Sequence, residues 1–195
     1  PHTSLDPIPT AALLSESLQT IISRKTDPTQ PAVLSICAVQ AGNINAPNVI
    51  PESLTLSGTV RTFDAGVRAM IEAEMRRMTE HIALAQGLGW EIRVDNLTPP
   101  LINSAVPARH ATSVAEKLFG AQCPVDVPLS MAGEDFAEYV NRIPGIQMYI
   151  GMADDAHNAM LHNPKFDFND AVLPEAVWFL SEIARTRLEE LAREL

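Results

Sequence analysis

The sequence has few basic residues, few cysteines and no long apolar run. Only 14 Lys and Arg face 24 Asp and Glu, for a formal net charge of −10. Nucleic acids and anionic membranes bind basic surfaces, so neither is expected as a partner. No apolar run approaches the roughly 18–20 residues of a membrane-spanning helix. The 195 residues, 46% hydrophobic and 19% charged, are instead typical of one folded domain or two small ones.

The two cysteines, Cys37 and Cys123, form no CxxC or zinc-finger spacing. They could form a disulfide, but we expect two reduced, partly buried thiols. No signal peptide is recognised, so a cytoplasmic location is expected. The chain opens on proline rather than methionine, which indicates a processed N-terminus or a piece of something longer.

Several catalytic motifs are missing. There is no GxSxG, P-loop or GxGxxG, which argues against serine hydrolases and nucleotide or dinucleotide binding. The five histidines form no HxH or HxxxH pair. A zinc site needs three or four ligands, so this chain is not expected to complete one alone.

The first half of the chain predicts a small α+β sandwich. A helix is expected over 7–24, with Asp6 as its cap, and a second helix after Asp64 that ends near Gly87. Strands are expected over 33–39, 53–63 and 91–97. One further strand upstream would complete a ferredoxin-like unit. The Thr98–Pro100 segment predicts a domain boundary.

The second half reads as an incomplete α/β layer. We expect a helix over 107–119, a connector around 124–128, a short helix over 134–142 and a buried strand over 147–150. A long loop over 151–169 then precedes a final helix that runs to the C-terminus. His81 and His110, in or beside helices, are interpreted as structural, and the role of His157 stays open.

Four places could carry chemistry. Arg61 lies on the polar face of its strand, either as an ordinary exposed arginine or as a clamp for a carboxylate. Asn48 is either a turn residue or a ligand contact. Gly133 and Glu134 precede a helix, where an acid complements the helix dipole and a small residue lets substrate come close. His162, within the long loop, is a surface histidine or a metal ligand.

Six stretches together resemble the metal-dependent amidohydrolase/carboxypeptidase family of hippurate hydrolase, aminoacylase-like enzymes and indole-acetyl-amino-acid hydrolases. They occur in the family's order and spacing: Pro1–His2 with Asp6–Ile8, Ser23–Arg24, Asn48–Pro51, Gly58–Phe63, Gly133–Phe136 and His162–Phe168. The resemblance implies that 1–97 is most of a dimerisation or lid domain lacking its first strand. It implies that 98–195 is the C-terminal part of a zinc-peptidase-like α/β catalytic domain.

The resemblance also implies roles for individual residues. Asn48 and Arg61 would reach the partner subunit's active site, to bind the substrate carboxylate and help hold the scissile amide. Gly133 and Glu134 would line the substrate pocket, where Ala132 replaces the family's glycine. His162 would ligate one of two divalent metal ions, zinc or else manganese, cobalt or nickel.

What the family places upstream of Pro1 limits this chain. The other metal ligands, the general base and the oxyanion-stabilising histidine all lie there in the family. The resemblance therefore implies no catalytic residue in this chain, no stably bound metal and no activity alone. It implies hydrolysis of N-acyl amino acids or small peptides by a homodimer or higher assembly. The alternative is a non-catalytic dimerisation or carboxylate-binding module.

Overall fold

A computed structural model describes residues 1–123 and 127–194 and divides the chain into two compact units. Unit 1 comprises Pro1–Pro100 with Met131–Gly133, and unit 2 comprises Leu101–Ser130 with Glu134–Leu195. Part of the connector expected around 124–128 lies outside the described residues. None of the helices in these ranges is long and apolar enough to span a bilayer.

Unit 1 contains two helices and a hairpin: α1 (Ile8–Lys25), β1 (Ala32–Ala41), β2 (Leu54–Thr62) and α2 (Ala65–Ala85). Side chains mark both helix starts, since Asp6 Oδ1 accepts the Ile8 N–H at 2.9 Å and Asp64 Oδ1 accepts the Val67 N–H at 2.8 Å. The chain leaves α2 through Gly87, whose φ of 71° suits glycine. These four predicted elements are confirmed.

The core of unit 1 forms where the two helices cover one face of the hairpin. Its buried members are Leu14, Leu18, Ile21, Leu34 and Ile71, and the methionines of α2 pack against them. Fully burying side chains such as Ile21 and Ile71 contributes about 1.5–3 kcal/mol each. The strands are antiparallel, with Val33 opposite Arg61, and the side chain of Arg61 is exposed. Leu54, Leu56 and Val60 are half-buried while Thr55, Ser57 and Thr59 are exposed, so the predicted alternation along β2 is confirmed.

Unit 2 is built around two helices. It contains α3 (Ala105–Phe119), the short α4 (Ala137–Val140), a 3-10 turn (Asp170–Val172) and α5 (Leu173–Glu194). Phe119 meets Trp178 and Phe179 edge-on, with ring centroids 5.8 Å apart in both pairs. The His110 side chain is largely buried, and its Nε2 lies 3.0 Å from Thr186 Oγ1 on α5. Its predicted structural role is confirmed.

Two predicted strands are wrong. Residues 91–97 and 147–150 are not strands, and in the described part of the chain β1 and β2 pair only with each other. A strand needs a neighbour for its main-chain groups, and at Gln147 a side chain takes that place. Asn103 Oδ1 accepts the Gln147 N–H, and Asn103 Nδ2 donates to the Gln147 carbonyl, both at 2.9 Å. The expected burial of 147–150 is also wrong at Tyr149, which is 63% exposed.

Two further expectations need correction. The helix predicted over 134–142 is limited to the four residues of α4. Both cysteines are free and exposed rather than partly buried. Cys37 lies where the register of β1 shifts between Ile36 and Ala38, and such a bulge interrupts the inward–outward alternation. The expected class, a mixture of helices and strands, is confirmed.

Candidate functional site

The guanidinium of Arg61 is held in place by a distant part of unit 1. Its Nη1 donates a hydrogen bond of 2.8 Å to the carbonyl of Met131, 70 positions along the chain. No carboxylate of the described residues pairs with Arg61, and apart from the bond to Met131 its N–H groups make no hydrogen bond with those residues. The polar face of β2 therefore presents an oriented cation that no acid of the described chain neutralises.

Gly133 lies beside this guanidinium. A Cβ added to Gly133 would lie 3.9 Å from Arg61 Nη1 and 3.5 Å from Thr98 Oγ1, which is ordinary contact. The structure thus brings together two residues that the sequence singled out separately. Both distances are ordinary van der Waals contacts, so an alanine at this position would also fit beside Arg61.

Asn48 is exposed in the loop that joins β1 to β2. It precedes β2, whereas Arg61 lies near the far end of that strand. The seven steps from Leu54 to Arg61 alone span roughly 23 Å of extended chain. The two side chains make no hydrogen bond with each other. The structure therefore does not bring Asn48 and Arg61 into contact within one chain.

The Glu134 carboxylate is bonded at both oxygens. Oε1 accepts the Phe136 N–H at 3.2 Å, and Oε2 accepts from Gln147 Nε2 at 2.8 Å. These bonds, the main-chain one first, lower the pKa of Glu134 against an opposing effect of desolvation. Glu134 is therefore an oriented anion at neutral pH, which suits an acceptor better than a general base.

His162 lies exposed on the long loop with a left-handed backbone. Its φ of 66° is positive, which no other non-glycine residue of the described chain shows. Such a conformation costs on the order of 1–3 kcal/mol and persists only where neighbouring structure imposes it. Here the imposing structure is a pair of turns, in which the Asn163 N–H donates to the Met160 carbonyl and the Phe166 N–H donates to the Asn163 carbonyl. The imidazole makes no hydrogen bond with the described residues.

A polar cluster fastens the two ends of the His162 loop. Asn169 Nδ2 donates to Asp154 Oδ2 at 3.0 Å and to the Met152 carbonyl at 3.1 Å, and the Asn169 side chain is buried. Asp154 Oδ1 accepts from the His157 main chain at 2.7 Å and from its Nδ1 at 2.8 Å. The His157 main-chain bond is the largest cause of the lowered pKa of Asp154. His157, whose role was open, is therefore part of the loop's support.

Sequence reasoning missed Asp154, Gln147 and Asn103. Their signals were weak, since isolated amides and acids in loops usually indicate turns. Asn169 was noticed only as a helix start, and it does accept the Ala171 N–H at 3.1 Å. Its second role, closing the loop, depends on a residue 15 positions away.

The residues present fit a metal ion only in part. Within 1–123 and 127–194, no group of three or more His, Cys, Asp or Glu side chains is placed to hold one. Zinc sites use three or four protein ligands. The exposed imidazole of His162 makes no hydrogen bond with the described residues, so it could fill one coordination position at most, with no group of three ligands around it in those ranges.

Comparison with known proteins identifies the family. The chain belongs to the peptidase family M20/M25/M40, whose model matches residues 15–186. This confirms the resemblance inferred from the motifs. N-acetyl-L-cysteine deacetylase of Bacillus subtilis is 35% identical over 189 residues, covering 97% of this chain and 44% of that protein. Hippurate hydrolase of Campylobacter jejuni is 32% identical over 185 residues, covering 94% and 47%.

A solved structure is also similar. A Bacillus subtilis protein, described as a dinuclear metal binding peptidase from the M20 family, superposes with a TM-score of 0.78. The two are 32% identical, and the match covers 96% of this chain and 47% of that one. The chain thus spans about half the length of the relatives it matches.

Proposed function

We propose that this chain is part of a metal-dependent amidohydrolase that cleaves the amide bond of N-acyl amino acids or small peptides. Family membership supports this, as do similar proteins named as an N-acetyl-L-cysteine deacetylase and a hippurate hydrolase. The longer polypeptide that would contain this chain is called the complete enzyme. We place no general base in this chain, and we propose that it is inactive alone.

The observation that carries the proposal is the guanidinium of Arg61. N-acyl amino acids carry a carboxylate, and a guanidinium binds one through two parallel hydrogen bonds. Arg61 is oriented by the Met131 carbonyl and is not neutralised by an acid of the described chain. We propose that it binds the substrate carboxylate and that Asn48 helps to hold the scissile amide. Both residues would do so in the active site of a partner subunit rather than of their own chain.

The roles of unit 2 follow from its own residues. The Glu134 carboxylate would line the substrate pocket, with Gly133 beside it in the chain. His162 would supply one ligand to a divalent metal, zinc or else manganese, cobalt or nickel. When bound, such a metal polarises a carbonyl and lowers the pKa of a bound water. The loop closed by Asn169 and Asp154 would hold His162 in place.

We also propose the domain roles that the motifs suggest. Residues 1–97 would form an incomplete ferredoxin-like dimerisation or lid domain, and 98–195 the C-terminal part of the catalytic domain. The protein would act in the cytoplasm.

Replacing Arg61 with alanine is expected to remove selectivity for the substrate carboxylate. In the complete enzyme, kcat/KM for an N-acetyl amino acid should fall about 10- to 100-fold, the effect of losing hydrogen bonds to a charged group. The value for the corresponding N-acetyl amino acid amide should change little. Steady-state kinetics on the two substrates measure this, with the chain alone as the blank.

The matched control for this substitution is Arg93→Ala. Arg93 is also in unit 1, but it is exposed and pairs with Asp95 at 2.9 Å. Its replacement should leave both substrates unaffected. Equal losses on the acid and the amide in the Arg61 variant would contradict carboxylate binding. Turnover by the chain alone would contradict the absence of a general base.

Self-association is expected for the isolated chain. In the described residues the sheet has two strands, so each strand has one edge without a strand neighbour, and β1 exposes Val39. Light scattering over a range of concentrations should give a mass of at least two chains. A strictly monomeric species at every concentration would contradict a homodimer or higher assembly.

A further inference from the structure

The surroundings of Glu134 contain a support that no motif indicated. Glu134 and Gln147 are 13 positions apart, and a bond of 2.8 Å joins Gln147 Nε2 to Glu134 Oε2. Both side chains are half-buried in unit 2. A flexible glutamine on a loop would lose side-chain entropy in holding this bond. The bond therefore depends on other contacts that hold Gln147 in place.

Asn103 fixes the main chain of Gln147. Its side-chain amide pairs with the N–H and the carbonyl of Gln147, both at 2.9 Å, as a neighbouring strand would. The next residue extends this pairing, since the Ser104 N–H donates to the Gly145 carbonyl at 2.9 Å and Ser104 Oγ accepts the Gly145 N–H at 3.2 Å. Four hydrogen bonds thus anchor 145–147 to the residues just before α3.

We infer that Gln147, anchored by Asn103, is a positioning residue that holds the Glu134 carboxylate as an acceptor for the substrate's amide N–H. This inference rests on the proposed function, in which Glu134 lines the substrate pocket. Each carboxylate oxygen has two lone pairs and accepts one close hydrogen bond, from the Phe136 N–H or from Gln147 Nε2. Asp135 contributes a weaker interaction that also lowers the pKa of Glu134. An ionised carboxylate repels the substrate carboxylate, so Glu134 suits the donor group of an N-acyl amino acid.

The first arm of the test uses the chain itself and NMR titration of the Glu134 side chain. Gln147→Leu removes the donor to Oε2, so the pKa of Glu134 should rise toward its ordinary value. Gln147→Glu places a second carboxylate there and should raise the pKa further. Asn103→Ala, which keeps the Gln147 side chain but frees its backbone, should also raise it. A Gln147 side chain that does not hold the Glu134 carboxylate in solution would leave this titration unchanged.

The control is Gln40→Leu, at an exposed glutamine of β1 in the other unit. It should leave the Glu134 titration as it is in the wild type. If Gln147→Leu fails to fold, Asn103→Ala and Gln147→Glu still decide the matter. An unchanged pKa of Glu134 in the folded variants overturns the inference.

The second arm uses the complete enzyme and a pair of substrates, an N-acyl amino acid and the ester in which oxygen replaces the amide N–H. Gln147→Leu should raise KM for the amide about tenfold, the size of one hydrogen bond to a charged group. The ester should be little affected, so the preference for the amide should shrink. An unchanged preference, with the Glu134 pKa raised, overturns the role in substrate binding. Failure to hydrolyse any N-acyl amino acid refutes the proposed function instead, and the NMR arm still decides the positioning role.

Discussion

Replacing His162 with alanine is expected to reduce metal-dependent hydrolysis by the complete enzyme at least about 100-fold, since losing even an outer partner of a metal ligand costs 10- to 100-fold. The fold should survive, because the ring is exposed and bonds to none of the described residues. Removing the ring also leaves no buried polar group without a partner. The expected result is therefore a loss of metal affinity and rate at unchanged stability.

Three measurements check this expectation: metal content after dialysis, kcat at saturating zinc, and the melting temperature. His81→Gln is the matched control, since His81 is also exposed and bonds only to the Arg77 carbonyl one turn earlier in α2, at 2.9 Å. It should keep both metal and rate. Full metal content and full rate in the His162 variant would exclude this residue as a ligand.

Replacing Gly58 with alanine is expected to destabilise unit 1 by about 3 kcal/mol, the upper part of the range for overpacking. A Cβ at this position would lie 2.1 Å from the Ser35 carbonyl oxygen and 3.1 Å from the Ile36 Cα. Both are main-chain atoms of β1, so no side chain can rotate away. The strands must move apart, which weakens the ladder at the point where its register already shifts.

Urea unfolding followed by far-UV circular dichroism measures this effect as a lower midpoint. The control is Gly89→Ala, because a Cβ at Gly89 meets nothing within 4 Å and its φ is not positive. The control should unfold within about 0.5 kcal/mol of the wild type, as surface substitutions generally do. Equal midpoints for the two variants would show that the hairpin can open at Gly58 without cost.

The elements predicted correctly are those whose signals lie within a few residues. The cap at Asp64, the stop at Gly87 and the alternation along β2 are local patterns, and each forms as expected. At the start of α1 the N-cap is Pro7 rather than Asp6, whose Oδ1 still accepts the Ile8 N–H. The two missing strands show the limit of such patterns. Apolar content makes 147–150 suitable for a strand, but a strand forms only beside another one. At Gln147 the Asn103 side chain occupies that place.

In the candidate site too, local motifs predicted some features, and the others could be seen only in the structure. His162, Arg61 and Glu134 could be selected because short motifs around them resemble a family, and family membership is now established. The residues that hold these side chains and the His162 loop in place could not be predicted from the sequence. The Arg61–Met131, Gln147–Glu134 and Asp154–Asn169 bonds join residues 70, 13 and 15 positions apart. No periodicity or motif encodes which distant carbonyl or amide will meet a given side chain.

The sequence by itself determined the acidic character of this protein, the helices and hairpin of unit 1, the family and the residues to suspect. It could do so because charge, hydrophobic period, helix caps and motifs are properties of neighbouring residues. Only the tertiary structure decided how those residues are held: the guanidinium of Arg61 by a main-chain carbonyl, the Glu134 carboxylate by an anchored glutamine, and His162 by two turns in a loop closed at its base. These arrangements depend on where the chain returns in space, which is set by the packing of the whole unit.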